Sequence, residues 1–153
     1  MNVAFTLGRI ALVVIFVFSG VQKLTDLAAT AAMIQSKMVI PASLGDVQAQ
    51  IENAVGMSIW QVLAIIAAVI EIAGGLLIAF NVLTRTMAVV LLIFVAVTTF
   101  YFHDFWNMTG PDRANNLTQA LKNLSIIGGL LILASWPRRV VIVDASGDRV
   151  EPL

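Results

Sequence analysis

The sequence predicts an all-α fold, an integral membrane bundle of four antiparallel helices. Two observations carry this prediction. The 153 residues are 59% hydrophobic and only 12% charged, and this is about half the charged fraction of an ordinary soluble domain. The apolar residues also run together in four stretches, each close to the roughly 20 residues that a helix needs to cross about 30 Å of hydrocarbon. An even number of spans places both termini on the same side of the membrane.

The four predicted spans have similar lengths. They are residues 5–24, 59–80, 85–102 and 117–136. The second and third spans are joined by a short turn at 81–84. The third and fourth are joined by residues 104–116, where the sequence Gly110-Pro111-Asp112 predicts a turn.

The chain divides into a membrane domain and a short tail. Pro137 ends the fourth span, because proline cannot continue a helix. We therefore assign residues 1–137 to the transmembrane domain and residues 138–153 to a polar cytoplasmic tail. The tail sequence is compatible with a small hairpin.

The connection at residues 25–58 is predicted to lie on the outer side, as a surface hairpin or a lid over the bundle. Residues 26–37 have the alanine-rich composition of a short helix. Ser43 to Asp46 form a capping signal before a second helix at 47–55.

Basic residues indicate the orientation, because short loops rich in lysine and arginine stay in the cytoplasm. If both termini are cytoplasmic, the cytoplasmic ends carry Arg9, Arg85, Arg138, Arg139 and Arg149. The opposite side then carries Lys23, Lys37, Arg113 and Lys122. This balance favours cytoplasmic N and C termini. One alternative is a cleaved signal peptide, because the first span follows a short positive start, but no small-residue cleavage pattern follows that span.

Polar residues inside or at the ends of the apolar stretches are the best guide to function. A charge at bilayer depth costs about 2.5–3.5 kcal/mol, so such a residue usually pairs, faces a cavity or serves function. Glu71 lies mid-way along the second span, and Lys122 and Asn123 lie near the start of the fourth. Lys23 and His103 end the first and third spans on the same side. We expect one polar pocket in the outer half, with Glu71 deepest, about 18 Å from the outer end of its span.

Each of these residues also has a structural interpretation. Glu71 can form an ion pair with Lys23 or Lys122 instead of handling a ligand or protons, and Lys23 can extend its amine to the interface. His103 can be an interfacial histidine in a hydrated loop. The aromatic residues nearby are typical of an interfacial belt as well as of a ring-stacking site. They are Phe100, Tyr101, Phe102, Phe105 and Trp106.

The composition excludes several kinds of site. The sequence has no cysteine, which removes disulfide exchange, thiolate nucleophiles, iron–sulfur ligation and covalent haem attachment. His103 is the single histidine, so bis-histidine haem within one chain is excluded as well. We expect neither metal nor haem. The net charge of zero gives no attraction for nucleic acid.

Five segments together resemble the DoxX family of small four-span membrane proteins. They are Gly8-Arg9, FSGVQKL at 18–24, EIAGGLL at 71–77, FHDFW at 102–106 and LKNLSIIGGLL at 121–131. The polar positions of the family map here onto Lys23, Glu71, His103, Trp106, Lys122 and Asn123. The resemblance implies a bacterial inner-membrane subunit of a redox system, since the family name comes from a thiosulfate:quinone oxidoreductase and some relatives associate with soluble oxidoreductases or dismutases. The absence of cysteine separates this chain from any thiol-dependent relatives.

The predicted polar pocket and the family resemblance lead to one functional hypothesis. The chain would be a redox subunit that binds a quinone or a similar small ring in the outer-half pocket. The candidate ligand-binding residues are Lys23, Lys122, Asn123, Trp106 and Tyr101, and the candidate catalytic residues are Glu71 and His103. The latter two would exchange protons. Electrons would have to come from a partner redox protein.

Two other classes of function stay open. The first is a non-catalytic membrane scaffold that recruits a soluble enzyme, with the lysine and glutamate residues forming structural ion pairs. The second is a proton or small-solute transporter, because an intramembrane carboxylate can relay protons. A bundle of this size can also form a homo-oligomer, although no span shows a separate dimerisation stripe.

Overall fold

Helices dominate the computed structural model, which describes residues 3–136, 142–143 and 149–150. The α-helices are α1 (Val3–Thr25), α2 (Leu27–Lys37), α3 (Gly45–Val55), α4 (Ile59–Ala79), α5 (Thr84–Phe102) and α6 (Gly110–Ser135). Single 3-10 turns lie at Ala42–Leu44 and Phe105–Asn107. Among the described helices, α1, α4, α5 and α6 are long and apolar enough to cross a membrane. The predicted all-α membrane fold is therefore confirmed.

Glycines let α1 and α4 approach closely. A Cβ placed on Gly20 would lie 2.6 Å from Ile72 Cγ1 and 2.9 Å from the carbonyl oxygen of Ala68. A Cβ on Gly75 would lie 2.9 Å from Val17 Cγ2. Since lipid offers no hydrophobic drive for helices to associate, such close backbone packing contributes much of the attraction between them.

The bundle has two different ends. We call the end where α1 begins, α4 turns into α5 and α6 finishes the terminus end, and the opposite end, which carries α2 and α3, the loop end. A packed core fills the half towards the terminus end. It comprises Val13, Phe16, Ile78, Ala88, Leu91, Val95, Leu130 and Leu133. All four spanning helices contribute to it, so the helices are closely packed against one another there.

Arg9 is a structural residue of the terminus end. Its side chain is buried, with 3% of the residue exposed. Nη1 donates to Asn81 Oδ1, and Nη2 donates to the carbonyl oxygen of Ala79 at 3.2 Å. These contacts satisfy carbonyl groups at the end of α4, where the helix dipole attracts a cation. Arg9 was predicted as an orientation signal, and its burial shows that it is not a free loop charge.

At the loop end, hydrogen bonds join the start of α4 to its capping residue and to α3. Ser58 and Gln61 form a capping box, in which Gln61 N donates to Ser58 Oγ at 3.3 Å and Ser58 N donates to Gln61 Oε1 at 3.1 Å. Glu52 of α3 adds a third contact, because its Oε1 accepts from the Ile59 amide at 2.8 Å. Two amides in the first turn of α4, those of Ile59 and Gln61, are thus satisfied by Glu52 of α3 and by the capping residue Ser58.

Two predicted boundaries were wrong. α6 begins at Gly110 instead of residue 117, so Gly110-Pro111-Asp112 starts a helix and is not a loop turn. Proline is favoured in the first helical turn, where its missing N–H costs nothing, and Asp112 complements the dipole there. The predicted cap at Ser43 is also absent, since Leu44 precedes α3 without a side-chain hydrogen bond.

The short connection helix and the tail match the sequence patterns more closely. Asp26 caps α2, its Oδ1 accepting from the Ala29 amide at 3.1 Å. In the tail, Ile142–Val143 pairs antiparallel with Arg149–Val150. Pro137, Arg138 and Arg139, on which the predicted span end and part of the orientation argument depend, lie outside the described residues.

Candidate functional site

A cavity of about 470 Å³ lies in the half of the bundle towards the loop end. This volume falls within the range of about 300–1,000 Å³ that is usual for small-molecule sites. Its walls are mainly apolar. The polar lining residues are Ser19, Lys23, Thr30, Glu71, Thr98, Tyr101, His103 and Asn123. The cavity therefore collects side chains from α1, α2, α4, α5 and α6 and the residue that follows α5.

Two of the helices that border the cavity, α1 and α6, contact each other towards the terminus end. There, the rings of Phe5 in α1 and Trp136 after α6 have centroids 4.5 Å apart. Further along, a Cβ placed on Gly129 would meet Leu12 Cδ1 at 3.0 Å. Beyond that contact, α1 and α6 both line the cavity. The same two helices thus seal one half of the bundle and border an open space in the other.

An ion pair between a partly exposed lysine and a buried glutamate forms one wall. Lys23 Nζ lies 2.8 Å from Glu71 Oε2, and only 5% of Glu71 is exposed. Lys23 Nζ also donates to Ser19 Oγ at 2.6 Å, and Ser19 Oγ donates to Glu71 Oε1 at 3.2 Å. Three side chains thus close a ring of charge-assisted hydrogen bonds, which offsets part of the cost of burying the two charges.

Glu71 lies twelve residues from the start of α4 and still reaches Lys23 near the end of α1. Gly20 packs beside Ala68 and Ile72, so α4 continues beyond the end of α1 before it reaches Ile59. The predicted depth of about 18 Å from the end of its own span is therefore not the distance between Glu71 and Lys23. Ser19 was missed as a site residue, although it lies four residues before Lys23 and therefore on the same helix face.

His103 is held by a small network at the loop end of the cavity. Its Nδ1 lies 3.1 Å from Asn116 Oδ1, and Asn116 Nδ2 donates to the Asp112 carbonyl at 3.0 Å. Because the Asn116 oxygen can only accept, this network assigns the proton of a neutral His103 to Nδ1. Nε2 is then left as an acceptor.

Two further cavity residues have unused hydrogen-bonding atoms. Asn123 Nδ2 donates to Thr99 Oγ1 at 2.9 Å, and Thr99 Oγ1 donates to the Val95 carbonyl at 2.6 Å. Asn123 Oδ1 and the Tyr101 hydroxyl make no hydrogen bond within the described part of the chain. The cavity therefore presents Asn123 Oδ1 as an acceptor and the Tyr101 O–H as a donor.

Lys122 and Trp106 do not line this cavity. Lys122 is exposed and forms no ion pair with any described residue. Neighbouring positions on a helix point about 100° apart, so Asn123 facing the cavity turns Lys122 outwards. Trp106 is exposed too, with ring centroids 5.5 Å from Phe100 and 5.1 Å from Phe105. This aromatic group has the position of an interfacial belt.

Helix α2 covers the loop end of the cavity. Thr30, Met33, Ile34 and Met38 line the cavity from this side. Beyond them, Lys37 Nζ lies 3.0 Å from Asp104 Oδ1, at the far end of α5. Both side chains of this second ion pair are partly exposed. α2 thus buries Ala31 and Ile34 in the bundle and makes one partly exposed ion pair with the segment after α5.

Comparisons with known proteins agree with the architecture. The DoxX family model matches residues 4–104, which include Lys23, Glu71 and His103. Inner membrane protein YphA of Escherichia coli is 30% identical over 128 residues, covering 84% of this chain and 79% of its own length. Inner membrane protein YqjF of the same organism is 42% identical over 65 residues, covering 42% of this chain and 46% of its own length. No solved structure matches.

Proposed function

Because the chain belongs to the DoxX family of membrane proteins, we propose that it is a membrane subunit of a redox system whose cavity binds a quinone or a similar small ring. The observation that carries this proposal is the way the cavity reaches the surface of the bundle. Three residues in its wall, Ile15, Ile66 and Val97, lie within spanning helices and are exposed. A ligand can therefore enter from the hydrocarbon of the bilayer, which is where a quinone with an isoprenoid tail dissolves.

The polar groups of the cavity suit both forms of such a ring. An ammonium has three donors, and Lys23 uses two of them on Ser19 and Glu71. The remaining Lys23 N–H and the Tyr101 O–H can donate to the carbonyl oxygens of an oxidised ring. Asn123 Oδ1 and His103 Nε2 can accept from the hydroxyls of a reduced ring.

In this proposal, two residues of the chain handle protons. His103 lies at the loop end, in contact with a polar helix start, and its free Nε2 can pick up a proton. Glu71 lies deeper, where it accepts hydrogen bonds from Lys23 and Ser19. When bound, a quinone supplies a two-electron and two-proton acceptor. The sequence has no cysteine, so the electrons must come from a partner redox protein.

Mass spectrometry of lipids that co-purify in mild detergent tests the ligand. We expect the wild-type protein to retain quinone, and Tyr101→Phe, which removes only a hydroxyl, to retain clearly less. Lys122→Gln is the matched control, because this residue lies near Asn123 in sequence but outside the cavity. Equal quinone in wild type, Tyr101→Phe and Glu71→Gln would refute binding in this cavity.

A double variant separates ligand binding from a scaffold role. Removing one partner of a buried ion pair costs about 3–5 kcal/mol, whereas replacing both partners can be nearly neutral. We therefore expect Glu71→Gln alone to lower thermal stability and Lys23→Met with Glu71→Gln to recover much of it. A recovered double variant that lacks quinone supports the proposal. A recovered double variant that captures the same soluble partner as wild type, with no quinone in either sample, supports the scaffold.

A further inference from the structure

A second cavity, of about 410 Å³, lies at the terminus end, and we propose that it binds the phosphate group of an anionic phospholipid. Its lining residues are Phe5, Asn81, Leu83, Thr84, Arg85, Thr86, Leu133 and Trp136. They come from the start of α1, the turn between α4 and α5, the first turn of α5, and the end of α6 with the residue that follows it. The packed core separates this cavity from the quinone site proposed above.

Uncompensated positive charge is the first argument. The Arg85 side chain makes no ion pair or hydrogen bond with any described residue. Arg9 adds a second guanidinium, held against Asn81 behind the cavity wall. The carboxylates of the described residues all lie in the half towards the loop end. They are Asp26, Asp46, Glu52, Glu71, Asp104 and Asp112. Nothing described at this end therefore balances the two cations.

The free hydrogen-bonding groups in the wall are mainly donors. Asn81 Oδ1 already accepts from Arg9 and, at 3.1 Å, from Thr84 Oγ1. The amide of Asn81 therefore has Nδ2 left to donate. The Thr86 hydroxyl makes no hydrogen bond within the described chain, and the Arg85 guanidinium carries five N–H donors. Phosphate oxygens only accept, and a planar guanidinium binds them with two parallel bonds.

The rest of the wall distinguishes a lipid from a soluble phosphate. Phe5, Trp136, Leu133 and Leu83 are apolar, and Leu83 and Trp136 are exposed. α5 starts and α6 finishes at this level, so the cavity lies where headgroups meet acyl chains, a depth at which tryptophan is enriched. Donors beside an exposed apolar wall suit a headgroup phosphate with an acyl chain attached. Basic pockets between spanning helices bind anionic headgroups in this way.

Native mass spectrometry of the full chain tests the proposal. The probes are phosphatidylglycerol, phosphatidylcholine with the same acyl chains, and inorganic phosphate. We expect wild type to bind phosphatidylglycerol in preference to phosphatidylcholine, and Arg85→Gln to weaken this binding about tenfold, the size of one charge-assisted contact. Thr86→Val should weaken it less. Arg113→Gln, which removes an exposed cation at the loop end, is the control and should bind as wild type does.

Three results would overturn the proposal. The first is equal phosphatidylglycerol binding by wild type and Arg85→Gln, provided that both keep the same melting temperature. The second is equal binding of the two lipids by wild type. The third is thermal stabilisation by inorganic phosphate as large as that by phosphatidylglycerol, since this would assign the site to a soluble anion. Loss of quinone without loss of lipid would separate this site from the first cavity.

Discussion

Ser19 shows how one small side chain makes a buried charge tolerable. Lysine and glutamate alone would leave one carboxylate oxygen of Glu71 without a partner at a depth where water is scarce. The Ser19 hydroxyl accepts from Lys23 and donates to Glu71 Oε1, so both oxygens of the carboxylate are bonded. Because each unsatisfied polar group in hydrocarbon costs several kcal/mol, this serine belongs to the site as much as the two charged residues do.

Gly20 is the residue where we expect the smallest change to do the most damage. In Gly20→Ala, the new methyl would meet Ile72 Cγ1 at 2.6 Å and the Ala68 carbonyl at 2.9 Å. The backbone oxygen cannot move aside as a flexible side chain can, so α1 and α4 must separate. We expect a loss of about 1–3 kcal/mol, the usual cost of overpacking, measured as a lower melting temperature in detergent.

Gly8→Ala provides the control for this prediction within the same helix. A Cβ at Gly8 meets nothing within 4 Å, so the same chemical change should leave the melting temperature nearly unaltered. Equal destabilisation by the two substitutions would mean that α1 responds to lost flexibility and not to the contact with α4.

For single residues, the sequence predicted which charged residues cluster better than it predicted which way each side chain faces. Glu71, Lys23 and His103 were predicted as a cluster because polar residues are costly in lipid, and all three line one cavity. Lys122 and Trp106 were predicted beside them but lie outside it. A helix that is apolar on every side carries little information about its rotation, so the pattern could not show that Asn123 faces inwards and Lys122 outwards.

Among the elements, α3 is held to α4 by a single carboxylate that responds to pH. The Ile59 amide and the Gln48 side chain both donate to Glu52 and hold the pKa of this carboxyl below its usual range. A lowered folded pKa means that the stabilisation is present above the unfolded value, near 4.5, and is lost as the pH falls through the folded value.

We therefore expect the attachment of α3 to weaken in acid. Amide hydrogen exchange across α3 and the first turn of α4 should be slower in wild type than in Glu52→Gln at pH 6, and this difference should disappear well below pH 4.5. Comparing the two proteins at each pH cancels the intrinsic pH dependence of exchange. Asp46→Asn, a change to the other acid of α3, should keep the wild-type profile. If wild type and Glu52→Gln still differ in exchange rate well below pH 4.5, the charge of Glu52 is not what holds α3 to α4.

The second element that we expect to move is α2, because its ion pair across the bundle, Lys37 with Asp104, is partly exposed. Exposed pairs are weak, so Asp104→Asn should raise the open population modestly, up to about fivefold. The cysteine-free sequence allows a direct measurement. In Ile34→Cys, a buried cavity position, the rate of thiol labelling should increase when Asp104→Asn is added.

Salt and a second labelling position provide the controls for α2. High ionic strength should accelerate labelling at position 34 as Asp104→Asn does, because it screens the same pair. Met33→Cys, already exposed, should be labelled at one rate in every background. If labelling at position 34 ignores both the substitution and the salt, Lys37 and Asp104 do not restrain α2.

The helix boundaries show a different limit of sequence reasoning. The apolar stretch of α6 marks where hydrocarbon begins, whereas the helix itself starts seven residues earlier, at Gly110. Hydropathy reports the solvent around a segment, and capping chemistry reports where its backbone hydrogen bonds start. The Pro111 and Asp112 signals were present in the sequence, but a turn and a helix start share those residue types.

For the whole molecule, the division into a packed half and an open half favours binding over transport. Ile78, Leu91 and Leu130 are fully buried and lie between the two cavities. A solute would have to part this core to pass from one end to the other, and packed interiors do not open gradually. A lipid-soluble ligand needs only the lateral opening at Ile15, Ile66 and Val97.

The orientation of the molecule in the membrane was predicted from its basic residues, and the structure changes which of these residues count as loop charges. Arg9 is bonded to the end of α4 and Lys23 to Glu71, so neither counts as a loop charge. Among the described side chains, Arg85 then remains at the terminus end against Lys37, Arg113 and Lys122 at the loop end. The tail sequence adds Arg138, Arg139 and Arg149, which lie outside the described side chains, and with them the count still favours cytoplasmic termini. In intact spheroplasts, we expect a membrane-impermeant thiol reagent to label Gln50→Cys and Asn107→Cys. Val82→Cys, in the exposed turn between α4 and α5, should be labelled only after permeabilisation. The opposite pattern would place the turn between α4 and α5 and the proposed lipid site at the outer face, away from the negative surface potential of the cytoplasmic leaflet.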